Sequence, residues 1–246
     1  MKKILTLLAL SGFLWADSIP EPMFFDLIRP LDSKRGELEI NTLAHKNFDA
    51  KNTNTSIDPF GSGQTTTDRE KIEWAPEIEY AVADGFALEL ELPFEGSQLE
   101  AYKFGAQYTF GKPFEGYIHG TQILLETTGE WKKYNTTLLY LGGYRFDKTF
   151  STLFMLGGRL DLEGENRSQS FEYLANVSLF ANISHRFVAG IESNYSRDKE
   201  SNYVLAFIPQ IHYEASDNIE IQAGLSLGEA TFARKKAFVL RAIYCF

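Results

Sequence analysis

Cysteine is almost absent: Cys245 is the only one in 246 residues. An internal disulfide is therefore excluded, and stability has to come from the sheet rather than from cross-links. Long apolar runs are missing too. Past the first sixteen residues, no run approaches the roughly 20 apolar residues that a membrane helix needs. Basic residues are scarce beside acidic ones, 24 against 33, which argues against nucleic acid as a partner. Histidine is rare and scattered. His45, His119, His185 and His212 share no ligand spacing, so neither a metal site nor a cofactor is expected.

What the chain does have is aromatic and strand-forming material, with 14% Phe, Trp and Tyr. That is too much for a disordered chain. It opens Met1-Lys2-Lys3, continues with a short apolar run to Trp15, and reaches the small residue Ala16. This pattern predicts a signal peptide over residues 1–16 and export of the remainder. No Cys follows the run, which excludes a lipoprotein. Removal leaves 22 basic against 33 acidic residues, a net charge of −11. An exported chain without a membrane helix can enter a bilayer only as a closed barrel. Residues 17–36 hold Pro20, Pro22 and Pro30 around Met23-Phe24-Phe25. They are expected to form a periplasmic N-terminal lead-in to a barrel over residues 37–246.

Alternation of period two recurs from Glu37 onward, the mark of strands with two unlike faces. Leu38, Ile40, Thr42 and Ala44 share one face; Phe86, Leu88, Leu90, Leu92 and Phe94 share another. About twelve such segments are predicted. The one around residues 117–125 has apolar residues on both faces and no assignable register. Tight turns are expected around Asp84, Lys112-Pro113, Lys148, Ser184 and Ser216. Longer connections are expected at 48–67, 163–170 and 196–202, with 95–99 a short exception. Short turns on one side and long loops on the other, with an even strand count and both termini on the short side, is the asymmetry of outer-membrane barrels. Tyr108, Phe110, Phe146 and Phe246 fall near the short turns, and Trp74, Phe94, Tyr102 and Phe171 near the long ones, as two interfacial girdles would. Pro76, Pro93 and Pro209 each delete a ladder donor, so local bulges are expected there.

The last strand ends Phe238-Val239-Leu240-Arg241-Ala242-Ile243-Tyr244-Cys245-Phe246. An aromatic-rich strand ending in Phe resembles the closing strand of bacterial outer-membrane barrels. The resemblance implies that Phe238, Leu240, Tyr244 and Phe246 serve as a membrane-insertion signal. Pairing of 238–244 with 38–44 is expected to close the barrel. Arg29-Pro30-Leu31, Gly36-Glu37-Leu38-Glu39-Ile40, Glu77-Ile78-Glu79-Tyr80 and Phe86-Ala87-Leu88-Glu89-Leu90-Glu91-Leu92-Pro93 carry a second likeness, strongest over residues 29–110. They are similar to the exported barrel family labelled for the MetA-pathway of phenol degradation, whose members are often called transporters. That resemblance implies an outer-membrane location and passage of a hydrophobic or aromatic compound. It brings no catalytic residues.

If the apolar set faces lipid, the other set lines the lumen: Glu73, Glu77, Glu79, Glu89, Glu91, Lys103, Arg145, Arg159, Arg186 and Arg241 are its candidates. Symmetric turning about Asp84 sets Val82 opposite Phe86, Glu79 opposite Glu89, Glu77 opposite Glu91 and Glu73 opposite Glu95, with Lys103 near Glu91. Like charges directly opposed destabilise a sheet. Such an acidic wall needs cations or a function: either the four Arg cross the lumen to it and form a salt-bridged interior, or Glu77, Glu79, Glu89 and Glu91 line a cation-preferring constriction that faces the Arg set. The expected function is passive passage of small solutes through the outer membrane of a Gram-negative bacterium. The alternative is a structural or surface-interaction barrel with a salt-bridged, plugged lumen, working through 48–67. A lipase-type enzyme is disfavoured, because no Ser on a lipid face lies near His119. Expected partners are outer-membrane lipid, the barrel-assembly machinery and an unidentified small solute.

Overall fold

The computed structural model describes residues 18–25, 27–48, 56–57, 64–65, 72–129, 131, 133–161, 171–230 and 233–246. The expected signal peptide and most of the connections 48–67 and 163–170 lie outside the described residues. Twelve strands follow one another: β1 (Leu38–Asn47), β2 (Glu73–Ala83), β3 (Phe86–Glu91), β4 (Ala101–Phe114), β5 (Tyr117–Thr128), β6 (Tyr134–Arg145), β7 (Phe150–Asp161), β8 (Phe171–Asn182), β9 (Phe187–Asp198), β10 (Tyr203–Ser216), β11 (Ile219–Ala230) and β12 (Ala233–Cys245). Each pairs antiparallel with its sequence neighbours, and β1 pairs with both β2 and β12, so the sheet closes on itself. After Glu91, β3 breaks at Leu92-Pro93. It resumes as Phe94–Glu95, which pairs with Trp74 and Glu73 of β2 and with Gln98–Leu99.

Period two decides which way each side chain points. Ile40, Leu88, Ile123, Leu156, Ile191 and Leu225 lie exposed on the outer face, a band of large apolar residues that suits lipid. Tyr108, Phe110, Phe146 and Phe246 extend the outer face at the rim of the short turns. Among the described residues, no helix is long and apolar enough to cross a membrane.

Several boundaries differ from expectation. Lys112 and Pro113 remain in β4, and the turn is Glu115-Gly116, where Gly116 supplies the positive φ of 78° at the second central position, which favours glycine there. Ser196 to Asp198 continue β9, which shortens the expected 196–202 loop to residues 199–202. Closure pairs Ile40 with Tyr244 and Lys46 with Phe238. This is a slip of two residues that keeps every side chain on its expected face. Ala83, not Val82, opposes Phe86, because a bulge falls between Ala81 and Ala83. Pro76, Pro93 and Pro209 carry no bulge. At Pro209 the pairing with β11 lapses between Phe207 and Gln210 without a register shift, and at Pro93 the strand simply stops. The bulges sit instead at short-turn ends, near Ala81, Thr109–Phe114 and Glu214.

The largest departure is inside. The segment 18–36, expected as a lead-in outside the barrel, occupies the lumen. Ser18 meets the end of β6 and Ser33 meets Gly85, both at the short-turn rim. Between them the chain rises to mid-barrel at Met23, Phe24 and Phe25, then returns through Leu27, Ile28 and Leu31, all buried. Phe25, Leu27 and Leu31 pack with Ile118, Leu139, Leu141 and Leu153; Met23 and Phe24 pack with Ala206, Ile208 and Val239. The inner wall is thus apolar along β5–β8 and acidic along β1–β3. The ambiguous strand β5 is explained by this: Ile118 and Gln122 are buried inward while Ile123 and Leu125 are exposed outward. A Cβ on Gly105 would come within 2.5 Å of Ile28 Cδ1, and one on Gly143 within 2.6 Å of Ile19 Cδ1. These bare backbone positions are sockets for the segment's side chains.

Candidate functional site

The acidic wall has the register that alternation implies: Glu77 opposite Glu91, Glu79 opposite Glu89, Glu73 opposite Glu95, and Lys103 opposite Glu91. Its neutralisation is different. Of the four Arg, only Arg241 reaches these acids. Fully buried, it lies 3.2 Å from Glu77, 3.6 Å from Glu79, 3.9 Å from Glu39 and 3.7 Å from Glu21. The second guanidinium is Arg29, carried by the lumenal segment. It pairs with Glu39, lies 3.4 Å from Glu37 and 4.0 Å from Glu79. Asn41 Nδ2 donates to Glu79 at 2.8 Å and to Glu39 at 3.0 Å. Ions buried this deeply are tolerated only when paired and hydrogen-bonded, and Glu21 and Arg29 of the segment complete the set.

The remaining candidates are dispersed. Arg145 donates to the Ser18 carbonyl. Arg159 lies 3.1 Å from Glu172 on the adjacent strand. Arg186 sits exposed in the turn after β8 and does not line the lumen, since the strand ends before it. Glu73 pairs with His45 Nε2 at 2.8 Å. His119 is on the outer face, with Nδ1 3.0 Å from the Tyr140 hydroxyl. Phe238, Leu240, Tyr244 and Phe246 are all exposed on the outer face of β12.

Residues that the sequence reading missed hold the segment in place. Glu192, buried at mid-β9, accepts the backbone N–H of Met23 (2.9 Å), Phe24 (3.2 Å) and Phe25 (2.9 Å). Asn176 and Asn194 donate to the same carboxylate at 3.1 and 2.8 Å. Gln107 accepts the Ile28 N–H at 3.1 Å and donates to the Arg29 carbonyl at 2.6 Å. Thr109 Oγ1 donates to the Leu31 carbonyl at 2.7 Å. These bonds satisfy a segment that has no secondary structure of its own to do so. One signal was available: Ile118, Leu139, Leu141 and Leu153 lie on the lumenal face, and a water-filled lumen would not call for them.

Above the segment lies a small recess open to solvent. Phe24 and Phe25 form its floor, with Leu124, Leu139 and Leu174 on one side and Glu77, Glu89, Glu91 and Lys103 on the other. Lys103, Glu126, Arg159 and Leu174 all lie near strand ends away from the short turns, so the recess faces the rim of the connections 48–72 and 162–170. Oxygens of Glu77, Glu89 and Glu91 lie within 4.8 Å of one another, with Lys103 bonded to Glu91.

A closed antiparallel sheet of twelve strands with an apolar outer face has the architecture of outer-membrane β-barrels. The chain belongs to the HAEPLYID-like family, whose model matches residues 18–245. The likeness of residues 29–110 to the phenol-degradation family stays a resemblance beside it. Among solved structures the chain is similar to a NanC porin, with TM-score 0.64 and 6% identity over 83% of this chain and 98% of that one. It is similar to the COG4313 outer membrane channel from Pseudomonas putida F1, with TM-score 0.61 and 10% identity over 93% and 100%. The KdgM porin in complex with disordered oligogalacturonate gives TM-score 0.60 and 12% identity over 85% and 99%. At such identities the likeness is one of fold. No curated protein sequence matches the chain.

Proposed function

We propose that this protein is an outer-membrane channel for passive passage of small solutes, with residues 18–36 as a plug that must shift for the solute to pass. The observation that carries the reading is that the lumen is closed by an irregular segment, not by the strands' own side chains. A barrel built only to be solid can fill itself from its walls. Here the wall supplies sockets at Gly105 and Gly143 and a clasp at Glu192. The similar folds named above belong to porins and channels, and that also supports passage over catalysis.

Export by residues 1–16, insertion by the barrel-assembly machinery through the signal ending in Phe246, and a periplasmic short-turn rim with both termini belong to the same reading. So does an aromatic or hydrophobic solute, for which Phe24, Phe25 and Leu139 offer an apolar floor. A second reading, a sealed structural barrel, draws on the fully buried Arg241 network. Liposome swelling separates the two. Purified protein in vesicles should admit small uncharged and cationic solutes while excluding large oligosaccharides; vesicles that stay impermeable to every solute, with Glu192 intact or replaced by Ala, would support the sealed barrel.

A further inference from the structure

We infer that the outer face at the long-connection ends of β9–β12 and β1 binds the headgroup of a phosphorylated glycolipid in the facing leaflet. Among the described strand residues, the outward cations at those ends are Lys46, Arg197 and Lys236, all exposed. Lys46 lies opposite Phe238, which is exposed on the outer face, and residues directly opposed share a face. Lys236 stands two residues before Phe238 and so points the same way. The two Lys are therefore diagonal neighbours, about 7–8 Å apart at Cα. Arg197 pairs with Tyr173 of β8 and Tyr203 of β10. Tyr173 is exposed on the outer face, and Arg197 Nη2 donates to Ser201 Oγ at 3.0 Å. Glu229 and Arg234, opposite each other in the ladder, add no net charge. Among the described strand residues, β2 to β8 carry no outward Lys or Arg at their long-connection ends.

The three cations share one height. The rung through Arg197 passes Tyr203 and leaves the sheet above Ala230 and Ala233, so rungs climb toward the long connections from β9 to β12. That stagger belongs to tilted barrel strands, and it brings Lys236, a few residues into β12, level with Arg197. A cation on the lipid face costs little near the rim, and its stem carries the charge to the headgroups. Such snorkelling alone would scatter cations round the whole rim. Their confinement to one arc makes a site, because clustered Lys and Arg attract anionic headgroups. The arc has two poles. Lys46 and Lys236 form one, and Arg197 between two Tyr forms the other, at least about 14 Å away across three strand spacings. A single phosphodiester reaches one pole. A headgroup with a phosphate at each end of a disaccharide meets both, each through charge-assisted hydrogen bonds. Toward mid-membrane, Phe207, Leu225, Leu227 and Phe238 offer apolar surface to its acyl chains. With the long connections outside the cell, as the channel reading has them, this lipid lies in the outer leaflet.

The test is native mass spectrometry of the full-length protein in detergent micelles, titrated with diphosphoryl lipid A. Monophosphoryl lipid A, phosphatidylglycerol and phosphatidylcholine are compared at equal concentration. One diphosphoryl lipid A per barrel is expected, with the monophosphoryl form and phosphatidylglycerol severalfold weaker and phosphatidylcholine not retained. Lys46→Gln combined with Lys236→Gln should weaken diphosphoryl lipid A by at least about tenfold. Arg197→Gln should remove the preference for two phosphates over one. Lys148→Gln, in an exposed turn at the opposite rim, should change nothing. Heat-modifiable migration confirms that each variant is folded. Retention of phosphatidylglycerol or phosphatidylcholine as tight as that of lipid A, equal binding of the two lipid A forms, or a folded Lys46→Gln/Lys236→Gln barrel that holds lipid A like the parent would overturn the proposal. Lipid binding in micelles is independent of conduction. A barrel that holds lipid A and never conducts refutes the channel reading and leaves the site, whereas a conducting barrel without a preference for lipid A does the reverse.

Discussion

At the scale of single residues, Glu192 and Asp147 make the sharpest claims. Glu192 receives five donors, three from the plug's backbone. Hydrogen bonds to a charged group contribute about 1.5–3 kcal/mol each, so Glu192→Ala should weaken the plug's hold by at least about 3 kcal/mol. Chymotrypsin reports this directly. Phe24 and Phe25 are buried in the intact barrel, and cleavage after Phe25 should become much faster in the variant while the strands stay resistant. Unchanged protection would show that Glu192 is not the clasp. Asp147 acts outside the membrane span. Its carboxylate accepts the N–H of Phe150 at 2.8 Å and of Thr149 at 2.6 Å, and these bonds hold its pKa below the ordinary carboxylate value. A carboxyl lowered by folding stabilises the fold above its unfolded pKa and loses that contribution as pH falls through the lowered value. Asp147→Asn should therefore be less stable than the parent in urea at neutral pH, with the gap closing in acid. A gap constant across pH would contradict this.

At the scale of elements, β12 closes the sheet. The Phe246 N–H donates to the Leu38 carbonyl at 2.9 Å, and its ring is exposed on the outer face. Deleting Phe246 removes one ladder bond, about 1 kcal/mol, too little to unfold a closed barrel. The deletion should instead lower the amount reaching the outer membrane severalfold; normal levels there would count against an insertion role. The strands and the pairings of Glu77, Glu79 and Glu73 with Glu91, Glu89 and Glu95 were legible in the sequence, because period two fixes the face and the bulge between Ala81 and Ala83 returns the ladder to the register that symmetric turning about Asp84 implies. The plug was not. Its contacts with Glu192 span 167 to 169 residues of chain, and an irregular segment has no periodicity to betray it. Its imprint was present in β5, where Ile118 faces inward and Ile123 outward. Apolar residues on a lumenal face call for an apolar guest, and the prolines at 20, 22 and 30 conceal that the guest is the chain's own beginning. The Arg residues were legible in sequence only as strand positions. Which acid each would meet depended on Arg29, which belongs to no strand.

At the scale of the whole molecule, closure and occupancy are separate properties. Closure gives every wall strand a hydrogen-bonding neighbour on both sides in a medium without water. The intact barrel should therefore migrate faster on a gel before heating than after, and Glu192→Ala should keep that behaviour. Occupancy is the central claim, and single-channel conductance in planar bilayers measures it most directly. The intact protein and a variant lacking residues 19–33 are recorded in the same salt. The plugged barrel should show small, infrequent openings, and the shortened one a large, steady conductance. Equal conductance in the two, from barrels that both show heat-modifiable migration, would mean that the segment does not close the lumen.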